Sequence, residues 1–281
     1  MPVPDLSINY YLCPAEYGVD RFAGEAATAG ASGIGLSAAA LAANGAAACR
    51  RMAADNGLKI TTLNSAGDFL IRDKPLAAMQ VDKNLRLIDA AAEINAAVLV
   101  VVTGGVSGQA FLDDLELRDR NLIGVANSHH LIVDALGWLH ERAAAAGVTL
   151  ALEPIHPMDI VFKGVVNSLT HAAALADQFP GLRLILDVYH SWWDPALEMP
   201  PATTVGLQIC GIAQSSRDMK PDRVTLSESA VPVLRIVRDV LASAPGAFVE
   251  FEMFDRHRQG REVVTIINET MTAWKSMAAE L

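Results

Sequence analysis

Eight times along its 281 residues, the chain passes from a short run of β-branched and aliphatic residues to a connecting stretch, most of them long, Ala- and Leu-rich and of helical period. That alternation leaves few folds open. Parallel strands need crossover connections of a dozen or more residues, usually a helix, and strands covered on both faces are apolar without alternation. Leu99-Val100-Val101-Val102 and Leu184-Ile185-Leu186 have that character. The pattern predicts strands at about Ser7–Leu12, Ser32–Ser37, Lys59–Asn64, Ala97–Thr103, Val148–Glu153, Arg183–Asp187, Val205–Cys210 and Ala247–Glu252. Helices are expected at Gly18–Ala29, Ala38–Asn56, Leu76–Asn95, Asp119–Ala146, Ser168–Phe179, Val231–Ala244 and Arg261–Ala279. Ser168 is placed to cap the helix after it, and Gly57 and Gly147 stand just past helix ends, where a left-handed residue is required.

Eight strands suit a closed (β/α)8 barrel, an α/β fold that forms one domain at about this length. An open doubly wound sheet is the competing architecture, but no Gly-x-Gly-x-x-Gly turn follows the first strand and no phosphate-cradling Lys loop is present. No Pro- or Ser-rich linker divides the chain. The irregular stretch from Asp194 to Val205, with Pro195, Pro200 and Pro201, falls on a strand-to-helix connection. A single barrel domain over residues 1–281 is the expected organisation.

A net charge of −10 argues against a nucleic-acid partner and against an anionic membrane surface, since both draw affinity from clustered Lys and Arg. The start of the chain lacks the basic-then-apolar pattern of a secretory leader, and no apolar run reaches the length of a membrane span, so a cytoplasmic protein is expected. Cys13, Cys49 and Cys210 have neither redox nor metal spacing and are expected as buried thiols. A homo-oligomer is compatible with the sequence.

In such a barrel the chemistry gathers at the carboxyl ends of the strands, so polar residues that terminate apolar strands carry the information. Leu150-Ala151-Leu152 ends in Glu153, Leu184-Ile185-Leu186 in Asp187, and Phe248-Val249-Glu250-Phe251 in Glu252; the seventh strand carries Gln208. Three converging carboxylates would resist ionising together, and a divalent cation resolves that conflict. The competing reading is that each carboxylate caps the next helix or pairs with an Arg. Gln208 could add a neutral oxygen, giving a shell that suits Mn or Mg, with Co or Zn as alternatives. His156 and His190 follow two of the carboxylates closely and are expected to touch substrate, as are Asn64 at the end of the third strand and Arg217 beyond the seventh. Trp192 and Trp193 either wall a sugar pocket or cover the barrel rim. Glu250 shares the strand parity of Glu252 and competes with it, although a deeper, structural place is expected for it.

The stretches Leu-Glu153-Pro-Ile-His156-Pro and Leu-Asp187-Val-Tyr-His190-Ser-Trp-Trp-Asp-Pro resemble the sugar phosphate isomerase/epimerase family with xylose isomerase-like barrels. The resemblance implies one divalent ion held by Glu153, Asp187, the residue at position 208 and Glu252. It also implies Glu153 and Glu252 as proton carriers, and His190 as a substrate contact. The chain departs from the family where a metal-binding His is expected and Gln208 stands, which implies a changed or weaker ion preference. It departs again between Arg217 and Pro232, where Leu226-Ser227-Glu228-Ser229-Ala230-Val231 replaces a Gly-rich loop and leaves the substrate open. The expected activity is a metal-assisted isomerisation or epimerisation of a sugar or keto-sugar through an enediolate, in carbohydrate metabolism. A lyase or dehydratase acting on a keto-sugar or cyclitol and a non-catalytic sugar-binding barrel are the alternatives.

Overall fold

The computed structural model describes residues 5–107, 123–215 and 220–280. Ten strands occur in it: β1 (Leu6–Asn9), β2 (Gly33–Ser37), β3 (Lys59–Gly67), β4 (Val98–Val102), β5 (Leu150–Leu152), β6 (Arg183–Asp187), β7 (Thr204–Ile209), β8 (Gly211–Ala213), β9 (Asp222–Val224) and β10 (Phe248–Phe251). Eight of them close a barrel in the order β1-β10-β7-β6-β5-β4-β3-β2, every pair parallel. The helices around it are α1 (Val19–Ala29), α2 (Ala38–Asn44), α3 (Ala46–Asp55), α4 (Lys74–Ile94), α5 (Val125–Ala145), α6 (Leu169–Ala176), the short α7 (Val188–Ser191), α8 (Val233–Ser243) and α9 (Val263–Ala278). Among the described residues no helix is long and apolar enough to cross a membrane.

The strands split their side chains between two apolar zones, as the period of two requires. Leu99, Val101, Leu152, Leu184, Leu186 and Leu207 join the helices in the main core. Val98, Val100, Val102, Ala151 and Ile185 pack with Val205 and Phe248 in a separate cluster that plugs the barrel interior. Register then stacks a polar layer on that plug. Phe248 lies beside Gly206 and Gly206 beside Ile185; two residues further along the same strands, Glu250 lies beside Gln208 and Gln208 beside Asp187.

The helix signals read from the sequence are in place. Ser168 Oγ accepts from His171 N at 3.2 Å, and Gly57 and Gly147 have φ of 68° and 69°. Four departures from expectation stand out. The first strand ends at Asn9 because its side-chain oxygen accepts from Tyr11 N at 2.9 Å and starts a 3-10 turn over Tyr10–Leu12. The helix expected over Ala38–Asn56 is broken at Gly45, whose φ of 79° no helix accommodates. The third strand runs on past Asn64 to Gly67, with its register against β4 shifting between Leu63 and Ala66. The helix expected from Asp119 begins at Val125, and 119–122 lie outside the described residues. Beyond β7, where the sequence pattern predicts no element before Val231, lie β8 and β9, paired antiparallel with Ile212 opposite Arg223.

Candidate active site

At the mouth of the barrel, the buried carboxylates of one strand lie in two environments. Glu250, fully buried, is caged by neutral donors: Asn9 Nδ2 at 2.8 Å, Thr61 Oγ1 at 2.5 Å, Thr62 Oγ1 at 3.0 and 3.1 Å, and Gln208 Nε2 at 3.1 Å. Only glycine fits opposite, since a Cβ on Gly35 would stand 2.6 Å from Glu250 Oε2 and 2.5 Å from Thr62 Oγ1. Burial pushes the Glu250 carboxyl up from its ordinary range, and these hydrogen bonds hold it down.

One layer nearer the rim, the carboxylates meet charge. Arg223, on β9, is 1 % exposed and points its guanidinium at two of them. Its Nη1 donates to Asp187 Oδ1 at 3.3 Å and to the Glu252 carbonyl at 3.0 Å. Its Nη2 donates to Asp187 Oδ2 and lies 3.2 Å from Glu252 Oε2. The Tyr189 and Phe254 rings flank the guanidinium at 4.3 and 5.0 Å from its carbon. Asp187 also caps α7, accepting from Tyr189 N at 2.8 Å. The cap and the Arg pairing weighed against a metal role for this residue are therefore both realised. Gln208 turns its nitrogen toward the carboxylates, 3.0 Å from Glu252 Oε1, and its buried Oε1 has no hydrogen-bond partner among the described residues. Burial, with Asp187 and Glu153 nearby, raises the Glu252 carboxyl well above its ordinary range against the pull of Arg223.

Glu153 faces a second cation. Lys163, from the connection after β5, places Nζ 2.9 Å from His190 Nε2, and His190 Nε2 lies 3.7 Å from Glu153 Oε1 and 3.8 Å from Asp187 Oδ2. Burial raises Glu153 to about 7, with Lys163 pulling it down and Asp187 pushing it up. Burial, then Lys163 and Arg223, lowers the His190 pKa well below its ordinary value. Glu153, Lys163 and Glu252 line a cavity of about 240 Å³ with Tyr11, Asn64, Ser65, Asp68, Val102 and Phe254. Tyr11 and Phe254 stack at 4.8 Å on its wall. A more open cavity of about 610 Å³ adjoins it through Tyr11, Asn64, Ser65 and Asp68, and reaches Lys83.

The sequence-predicted residues fall into two groups. Glu153, Asp187, Gln208, Glu252 and His190 meet at one place, and Asn64 lines both cavities while its Nδ2 donates to Thr62 Oγ1 at 2.8 Å. His156 touches the cluster through its backbone, whose N–H donates to His190 Nδ1 at 3.1 Å. Trp192 and Trp193 line a separate groove against α8, with Pro232 and Ile236. Arg217 lies outside the described residues. The sequence reading missed Arg223, Lys163, Tyr11 and Phe254. The apolar alternation of Arg223-Val224-Thr225 is a weak strand signal that points to the first; Lys163, in a loop, has none.

The fold and this cluster define a barrel with its polar centre at the strand ends, and the chain belongs to the xylose isomerase-like TIM barrel family, whose model matches residues 23–277. Among solved structures, a Sinorhizobium meliloti protein is 27 % identical with a TM-score of 0.84, covering 98 % of both chains. The Escherichia coli 3-keto-D-glucoside 4-epimerase is similar at 14 % identity and a TM-score of 0.73, covering 97 % of this chain and 99 % of its own. The IolI protein, solved with a bound zinc atom, is similar at 16 % identity and a TM-score of 0.76, covering 98 % of both chains. No curated protein matches the sequence.

Proposed function

We propose that the protein is an isomerase or epimerase of a small sugar or keto-sugar, moving a proton on the carbon next to a carbonyl, with Glu153 and Glu252 as the proton carriers. The observation that carries this reading is the lining of one small cavity by Glu153, Glu252 and Lys163 together. Both carboxylates have raised proton affinity, which suits groups that take and return a proton near neutrality. The Lys163 ammonium offers positive charge where an enediolate oxygen would develop its negative charge. Tyr11 and Phe254 supply apolar faces for the carbon skeleton. Solved relatives that act on sugars, such as the keto-glucoside epimerase, support the substrate class.

The resemblance implies a divalent ion, and Glu153, Asp187 and His190 do present ligand atoms within 4.8 Å of one another. The donors as arranged do not fit it. Arg223 takes lone pairs on both Asp187 oxygens and lies against Glu252, and Lys163 Nζ stands at His190 Nε2. The orphaned Gln208 Oε1 is a neutral oxygen and brings no charge to offset Arg223. The proton transfer is therefore assigned to this chain's own residues.

Incubating the protein with a panel of ketoses and aldoses in deuterated water tests the reading. The expected result is deuterium at a carbon adjacent to the carbonyl of at least one sugar, abolished in Glu153→Gln. Absence of exchange into every sugar of the panel would sink it.

A further inference from the structure

We infer that Arg223 is a built-in cation standing where a divalent ion would bridge Asp187 and Glu252, so that this barrel holds its carboxylates without a metal. Turnover of a sugar at this site rests on the function proposed above; the place of Arg223 does not.

Three observations carry it. The guanidinium spans the two carboxylates that an ion would have to share, with both nitrogens engaged on Asp187 and one also on Glu252. An ion bound to those oxygens at about 2.0–2.6 Å would lie against a group that is charged at every accessible pH, and like charges at that range repel strongly in a buried setting. Second, the side chain has no free choice of place. Tyr189 and Phe254 enclose its two faces, Nη1 also contacts the Glu252 carbonyl and Cys210 Sγ at 3.6 Å, and the residue is nine-tenths buried and more. Third, the hairpin that delivers it is fastened to the barrel rim: Tyr189 Oη donates to the Pro221 carbonyl at 2.9 Å, and Lys220 pairs with Asp159. Gln208 adds to this arrangement, its Nε2 donating to both Glu250 and Glu252.

Titration of the wild-type protein with Mn and with Co, followed by calorimetry and by melting, reads the assignment directly. The expected result is no one-to-one binding tighter than about 1 mM, and a melting temperature that chelator leaves in place. One ion per chain bound more tightly than that, or a melting temperature lowered by chelator, would overturn it. In Gln208→His combined with Arg223→Met, the freed carboxylates should bind Co at least about a hundredfold more tightly than the wild type. That binding should appear as a cobalt absorption band and a rise in melting temperature of roughly 5–10 °C at a hundredfold excess over Kd. A folded double variant that binds no better than the wild type would overturn the inference. Arg223→Lys keeps the charge and should remain as poor at binding the ion as the wild type; tight binding there would overturn it too, and this variant serves if the double one fails to fold. Deuterium exchange, run in chelator on the same samples, separates the two claims. Metal binding together with exchange removes the role of Arg223 and leaves the activity, whereas absence of both removes the activity and leaves Arg223.

Discussion

Glu250 and Glu252 are two residues apart on one edge of one barrel, both buried and both inward, yet they are treated in opposite ways. Glu250 is held by hydroxyls and amides from β1, β3 and β7, donors that fix its position and leave it walled off. Glu252 is held by a guanidinium and an amide and opens onto a cavity shared with Glu153 and Lys163. A neutral cage satisfies a carboxylate and takes it out of use. A cage built from charges leaves its proton affinity adjustable, because each neighbour's charge enters it. One layer of the barrel is frame, and the next carries the proposed chemistry.

The sharpest way to break that contrast is to neutralise the rim layer. Glu252→Gln and Glu153→Gln should each lower kcat by about 10²–10⁴, the usual contribution of a positioned proton carrier, measured on whichever sugar shows exchange. Activity within about threefold of wild type in either variant would mean that the rim carboxylates are as structural as Glu250. Lys163→Met should cost less, about 10²–10³ in kcat, as expected for removal of one donor to a developing oxyanion, with circular dichroism unchanged. Glu250→Ala probes the frame instead. It strands Asn9, Thr61, Thr62 and Gln208, and each buried donor left unmet costs about 1–3 kcal/mol, so a loss of at least about 3 kcal/mol by urea unfolding is expected.

The smallest effect follows from protonation of Glu153. Its pKa rises from 4.5 to about 7 on folding, so the folded chain binds this proton more tightly than the unfolded one. The stability it contributes is complete below pH 4.5 and is lost as pH rises through 7, while the base form needed for proton abstraction increases over the same interval. A kcat/KM that climbs through pH 7 as this share of stability declines would join the two, and Glu153→Gln should flatten both. A pH-independent melting temperature between pH 5 and 7 in wild type would show that Glu153 is not held as described.

The difference between frame and chemistry also marks where the sequence could be read. Glu153, Asp187, Gln208 and Glu252 are visible because each interrupts or ends an apolar strand, and strand parity alone sends Glu250 and Glu252 inward. The barrel itself follows from eight such strands. Lys163 and Arg223 are hidden for a physical reason: both come from connections, where the reach of a side chain depends on the path of the backbone rather than on a period. Arg223 acquires its place because Asp222–Val224 pairs with Gly211–Ala213, two short strands that the sequence pattern does not predict. Asp187 shows the converse. Its position is legible, but the arginine it pairs with stands 36 positions away.

The hairpin bearing Arg223 therefore has a meaning beyond its own few residues. Because the counter-charge arrives on an appendage between two barrel strands, the electrical character of the site is interchangeable without rebuilding the staves that carry the acids. A descendant that shortened this one ribbon would inherit an anionic socket ready to recruit an ion from solution. On the role inferred for Arg223, one that kept it would hold its carboxylates without drawing on the metals of its surroundings.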